Sequence, residues 1–169
     1  MPYSVRVQPT VYDGHSFRSK TEARFAAFFN ALDTAYLYEP NVYEFPIRRK
    51  DSPLHADHPS GTVKYIPDFF LPDYNVFVEI KPRFPLHIEC IKAHLLATST
   101  QKHVFVLWDV RKQHLLQFTP QGNIRMGNTL QLCSVCDRLN LAPCPCPHPV
   151  FQSKHPKRLT ALRTATQFN

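Results

Sequence analysis

Asp68, Glu79 and Lys81 are the residues whose types and spacing could do hydrolytic chemistry. They sit in Ile66-Pro67-Asp68-Phe69-Phe70-Leu71-Pro72 and in Val76-Phe77-Val78-Glu79-Ile80-Lys81. Side chains of a strand alternate between faces, so Glu79 and Lys81 share one face while Val78 and Ile80 enter the opposite layer. A buried strand that spends two charges on one face pairs them or binds something with them. With Asp68 nearby, the carboxylates can hold a hard divalent cation beside an ammonium, the equipment of metal-assisted phosphodiester hydrolysis. The alternative is a surface ion pair on a half-exposed strand, with Asp68 forming a turn.

The elements that must position these groups are readable from periodicity. Phe25, Phe28, Phe29 and Leu32 recur at helical spacing after Ser19, and Ser19 with Glu22 fits a capping box. Residues 3 to 8 read as a weak strand, and Asp13-Gly14 as a turn. Strands are expected over Ala35 to Tyr38, Val42 to Ile47, Lys64 to Leu71 and Val76 to Lys81, with a polar loop over Arg48 to Gly61. His87 to Ser99 reads as a helix with Ile88, Ile91, Leu95 and Leu96 on one face. Val104 to Trp108 is a continuous apolar run, as in a buried parallel strand, and Leu115 to Phe118 is a final strand. The order helix, strands, helix, strand is that of an α/β sandwich around a mixed central sheet flanked by helices.

Taken together, Glu22 in the first helix, Pro67-Asp68 and Glu79-Ile80-Lys81 resemble the signature of the PD-(D/E)XK nuclease superfamily. The stretch Phe17 to Phe25 and Tyr38-Glu39-Pro40 are similar to segments of its phage and transposon members. The resemblance spans residues 17 to 108 and implies a restriction-endonuclease-like core in the order αβββαβ. It implies that Asp68, Glu79 and the Ile80 carbonyl bind Mg²⁺ or Mn²⁺, that Lys81 orients the attacking water, and that Glu22 completes the metal shell or holds a further water. A capping box explains Glu22 without chemistry. The function implied is a DNA endonuclease of restriction, recombination, transposition or phage and viral genome processing. An RNA or branched-junction nuclease of the same fold is the near alternative. A zinc-containing nucleic-acid-binding scaffold without catalysis is the distant one.

The chain of 169 residues carries a net charge of +7, of which five come from Arg138, Lys154, Lys157, Arg158 and Arg163 in a tail without Asp or Glu. Such a tail suits a phosphate backbone, or is a solvated end that aids solubility. Arg18 and Lys20 at the first helix, with Lys92, Gln101 and Lys102 on or after the second, are further candidate phosphate contacts. From residue 131 the composition turns to Cys, Pro and basic residues, so a nuclease-like domain over 1–130 and a small Cys-rich appendage over 131–169 are expected. Cys133 and Cys136, then Cys144, Cys146 and His148, have the spacing of a zinc knuckle, with Cys144 and His148 as an alternative pair of ligands. A disulfide pair or free thiols are the other readings. Cys90 reads as a small buried apolar residue, Trp108 as core, and His55, Asp57 and His58 as a solvated loop. No run is long enough to span a membrane, and no secretory segment opens the chain, which points to a reducing cytoplasmic or nuclear setting, phage or viral origin included. Cutting both strands of a duplex favours a homodimer, and the small size suits a partner recombination or transposition protein.

Overall fold

The computed structural model describes residues 8–47, 61–108, 114–147, 149–152 and 154–166. Of the loop expected over Arg48 to Gly61, residues 48–60, with His55, Asp57 and His58, lie outside these residues, and Gly61 instead opens a strand; His148 and most of the expected strand over 3–8 also lie outside.

The chain opens with a hairpin of β1 (Thr10–Tyr12) and β2 (His15–Phe17). Asp13 and Gly14 turn it, both at positive φ, 49° and 74°. Two consecutive left-handed residues make the turn type whose twist matches paired strands, and Asp-Gly is its favoured sequence. Helix α1 (Lys20–Asn30) starts at the expected cap, where Ser19 is extended and its Oγ accepts the Glu22 N–H at 3.2 Å. The second half of the capping box takes a different form. The Glu22 carboxylate accepts the Ser19 hydroxyl at 2.8 Å and the Tyr38 hydroxyl at 2.5 Å. The cap therefore ties α1 to β3 (Leu37–Tyr38), a segment distant in sequence.

The centre is a six-stranded mixed sheet. Besides β3 it contains β6 (Phe69–Leu71), β7 (Val76–Lys81), β8 (His103–Trp108), β9 (His114–Phe118) and β10 (Ile124–Thr129), in the spatial order β10-β9-β8-β7-β6-β3. Strands β7 and β8 run parallel, joined by α2 (His87–Thr100), and the other neighbours are antiparallel. The apolar run of β8 thus lies in a buried parallel pair, as its composition predicts. A register shift between Met126 and Asn128 puts a bulge in β10, whose Ile124 and Met126 are exposed.

The strand expected over Lys64 to Leu71 is two strands in two sheets. Strand β5 (Gly61–Tyr65) pairs with β4 (Tyr43–Ile47) in a separate hairpin, while β6 joins the main sheet. The break falls at Ile66-Pro67-Asp68 because Pro67 has no N–H to give a ladder. Asp68 turns its N–H to the Glu79 side chain at 3.2 Å and its carbonyl to the Glu39 N–H at 2.9 Å.

Each face of the sheet carries a core. On one, Val76, Val78, Ile80, Phe105 and Leu107 meet Ala23, Phe25, Phe28 and Phe29 of α1. On the other, Phe77, Val104, Val106, Leu116 and Phe118 meet Ala93, Leu96 and Ala97 of α2. The segment that composition sets apart contributes Leu132, Leu139, Leu141 and Ala161 to the α1 side. It forms a short ribbon of β11 (Leu132–Cys133) and β12 (Phe151–Gln152), then α3 (Pro156–Thr166). Among the described residues no helix is long and apolar enough to cross a membrane.

Candidate functional site

Alternation along β7 sends Val78 and Ile80 to the α1 face and leaves Glu79 and Lys81 on the α2 face, as expected. Asp68 and Glu79 are both buried, 3 % and 5 % exposed, so their charges need partners. Each oxygen has one. Asp68 Oδ2 accepts the Ile80 N–H at 2.7 Å, and Glu79 Oε2 accepts the Tyr65 hydroxyl at 2.9 Å as well as the Asp68 N–H. The remaining oxygens meet cations: Arg18 Nη2 lies 2.9 Å from Asp68 Oδ1, and Lys81 Nζ bonds Glu79 Oε1. Pro67 is thus what frees the Asp68 backbone to lock two carboxylates side by side.

The electrostatics follow from this crowding. Burial, then the neighbouring Glu79 charge, pushes the Asp68 carboxyl well above the usual range. Burial pulls the Lys81 ammonium down, but the Glu79 and Asp68 carboxylates outweigh it, and the net shift is upward. Lys81 therefore keeps its proton at neutral pH. Burial and the Glu79 charge likewise raise Tyr65, which stays a neutral donor.

Tyr65 and Glu89 were not legible as site residues. Tyr65 reads as an ordinary strand aromatic, and its bond to Glu79 joins two different sheets. Glu89, in the first turn of α2, reaches Lys81 at 3.7 Å and Arg83 at 3.2 Å. A Tyr65→Phe variant should lose about 1.5–3 kcal/mol of stability in urea unfolding, the usual worth of a bond to a charged group. An unchanged midpoint would mean that Glu79 does not depend on that hydroxyl.

Arg18, Lys64, Lys92, Glu79, Lys81 and Glu89 line a cavity of about 320 Å³ with Tyr65 and Ile66. Lys92 and Arg18 are therefore at the site. A neighbouring cleft of about 590 Å³ is lined by Lys20, Glu22, Asp68, Lys81 and others. Glu22 faces this cleft, but its oxygens hold Ser19 and Tyr38, and it does not gather with Asp68 and Glu79 into one compact ligand set. Expected to complete a metal shell or hold a further water, Glu22 braces α1 against β3 through these bonds and lies near enough to Asp68 to help raise its carboxyl. Ile80 supplies its N–H to Asp68 and its side chain to the opposite core.

Other expected phosphate contacts lie elsewhere. Gln101 caps α2 with a left-handed backbone, and Lys102 donates to Asn75 at 2.7 Å, both at the opposite end of β7 from Lys81. Lys157 pairs with Asp137 at 2.8 Å, and Lys154 is exposed. Arg158 is buried, which corrects its reading as a surface cation for nucleic acid: α3 packs that side against the body of the protein. Trp108 is half-buried, edge-on to the exposed Phe84.

The donors at Asp68 and Glu79 are all oxygen, the set that Mg²⁺ and Mn²⁺ take. Asp68 Oδ1 and Glu79 Oε1, met by displaceable cationic side chains rather than by backbone, are the oxygens that could be shared with such an ion. Among the described residues, Cys133, Cys136, Cys144 and Cys146 form a second group that can hold a metal ion. No family model, curated protein or solved structure matches this chain.

Proposed function

We propose that the protein is a divalent-metal-dependent nuclease of the PD-(D/E)XK type that hydrolyses DNA phosphodiester bonds as an endonuclease. One observation carries the reading: two buried carboxylates and a lysine are locked together across the Pro67 break, with Glu79 on a cavity that Arg18, Lys64, Lys81 and Lys92 also line and Asp68 on the adjoining cleft that Arg18, Lys20 and Lys81 line. Once the separate β4–β5 hairpin inserted between β3 and β6 is set aside, the remaining succession α1, β3, β6, β7, α2, β8 is in keeping with the αβββαβ order of a restriction-endonuclease-like core.

In this reading Asp68, Glu79 and the Ile80 carbonyl would hold Mg²⁺ or Mn²⁺, which would supply Lewis acidity at the phosphate and make the attacking water more acidic. Lys81, held charged beside Glu79, orients that water and offsets the charge that grows on the phosphate. Arg18 and Lys92 draw the backbone into the cavity. The cysteine group takes a different ion, since thiolates favour Zn²⁺ over Mg²⁺ and four protein ligands leave no open position for catalysis.

The test is cleavage of plasmid, linear duplex, single-stranded and branched DNA, and of RNA, in Mg²⁺ or Mn²⁺. Divalent-dependent cutting of duplex DNA is expected. Preferential cutting of RNA or junctions would redirect the substrate. Binding that survives chelation, with no cutting in any divalent ion, would leave a scaffold and refute the nuclease.

A further inference from the structure

The cysteine group has no part in the hydrolytic reading. We infer that Cys133, Cys136, Cys144 and Cys146 bind one Zn²⁺ as a closed tetrathiolate, and that this ion fastens the C-terminal segment to the turn that leads into β7.

All four Sγ atoms lie within 4.8 Å of one another, with Cys133 and Cys146 at 4.0 Å and Cys136 and Cys144 at 3.4 Å. A tetrahedron with zinc–sulfur bonds of about 2.3 Å has sulfurs roughly 3.8 Å apart, inside that spread. All four are free thiols, so none is spent on a disulfide. The loop closes on itself, with the Asp137 N–H returning to the Cys133 carbonyl at 3.0 Å and Asp137 in the left-handed region.

Local packing does not account for this shape. Ser134, Val135, Cys136, Pro145 and Pro147 are exposed, and the β11–β12 ribbon has two pairs of residues. Leu132, Leu139 and Leu141 reach the main core, but the turns between and after them that carry the cysteines have little to bury, and a metal supplies what packing there does not. Sulfur ligands in a tetrahedral set of four select zinc among common divalent ions that carry no redox chemistry.

The knuckle is wired outward. Asp137 holds His155 at 3.0 Å and Lys157 at 2.8 Å, at the start of α3. Arg138 covers the Tyr74 ring at 4.8 Å and donates to the Asp73 carbonyl at 3.0 Å, and the Leu139 N–H donates to the Tyr74 hydroxyl at 3.0 Å. Asp73 and Tyr74 belong to the 3₁₀ turn Pro72–Tyr74 that enters β7. Lys81 is at the far end of that strand, about 20 Å away at the usual rise per residue. The ion therefore acts on architecture, not on the carboxylate site.

The full chain, purified with zinc, should contain one equivalent by elemental analysis. Replacement by Co²⁺ should give the visible ligand-field bands of tetrahedral cobalt thiolate. Cys136→Ser and Cys144→Ser should each lose those bands, and Asp68→Asn should keep them. Chelation of the wild-type chain should speed tryptic cutting after Lys154 and Lys157, a readout that survives if the variants fail to fold. Absent zinc with no cobalt bands, bands unchanged in both serine variants, or tryptic cutting indifferent to chelation would overturn the inference. Cobalt bands without DNA cleavage would refute the nuclease alone; cleavage without bands would refute the zinc centre alone.

Discussion

Lys81→Ala should lower the rate of DNA cleavage at saturating Mg²⁺ by about 10²- to 10³-fold, the usual cost of removing one preorganised electrostatic contact to a reacting centre. The ammonium is enclosed between Glu79 and Glu89 and is the charge nearest the two buried carboxylates that belongs to the same strand. Its loss has a second effect. Asp68 is already raised by burial and by Glu79, and Lys81 is the main charge that opposes the rise. Without it Asp68 ionises only at still higher pH. Because the carboxylate must be ionised to hold a cation, the pH dependence of cleavage should move to higher pH in the variant. Rates measured against pH at a fixed, sub-saturating metal concentration separate the two effects: the shift is recovered at high pH, and the loss of contact is not. A variant that cuts at the wild-type rate throughout would remove Lys81 from the mechanism.

Phe69→Ala should cost about 3–5 kcal/mol of stability, the range for emptying a large aromatic site in a core. Phe69 is fully buried and meets Phe29 and Tyr36 at 5.4 Å, Tyr38 at 5.5 Å and Phe17 at 6.3 Å between ring centroids. Those four rings come from α1, β2, β3 and the connection between α1 and β3. No single neighbour can move to fill the space without dragging its own element. Phe84→Ala, at a residue 54 % exposed, should cost about 1 kcal/mol or less. Urea midpoints for the two variants check this, and equal losses would show that the aromatic hub is not what holds α1 on the sheet. Since Phe69 follows Asp68 directly, its loss should also loosen the carboxylate pair.

The parts of this fold that were legible are those whose sequence carries a period. The alternation Val-Glu-Ile-Lys gives β7 its two faces, the Phe spacing gives α1, and the unbroken apolar run gives β8 a buried parallel place. The parts that were not legible depend on partners far along the chain. Residues 64–71 read as one strand by their apolar content; Pro67 marks the break locally, but which sheet Tyr65 and Phe69 each join is set by partners far along the chain. Helix α3 carries a weak apolar stripe, and the residue that anchors it, Ala161, is small. Of the site, Asp68, Glu79 and Lys81 were found by type and spacing. Tyr65 and Glu89 were not, because a tyrosine donor and a glutamate in the first turn of a helix are common without chemistry.

The six-stranded sheet ends on one side in β3, two residues long, and on the other in β10. Among the described residues no strand pairs with the outer side of β10; such a margin is a template on which another copy can add, and β10, with Ile124 and Met126 exposed, has the composition for it. The register shift between Met126 and Asn128 bends that margin and breaks its run of evenly spaced donors and acceptors. The irregularity thus works against open-ended strand addition: it lets the sheet keep an apolar border without growing sheet upon sheet.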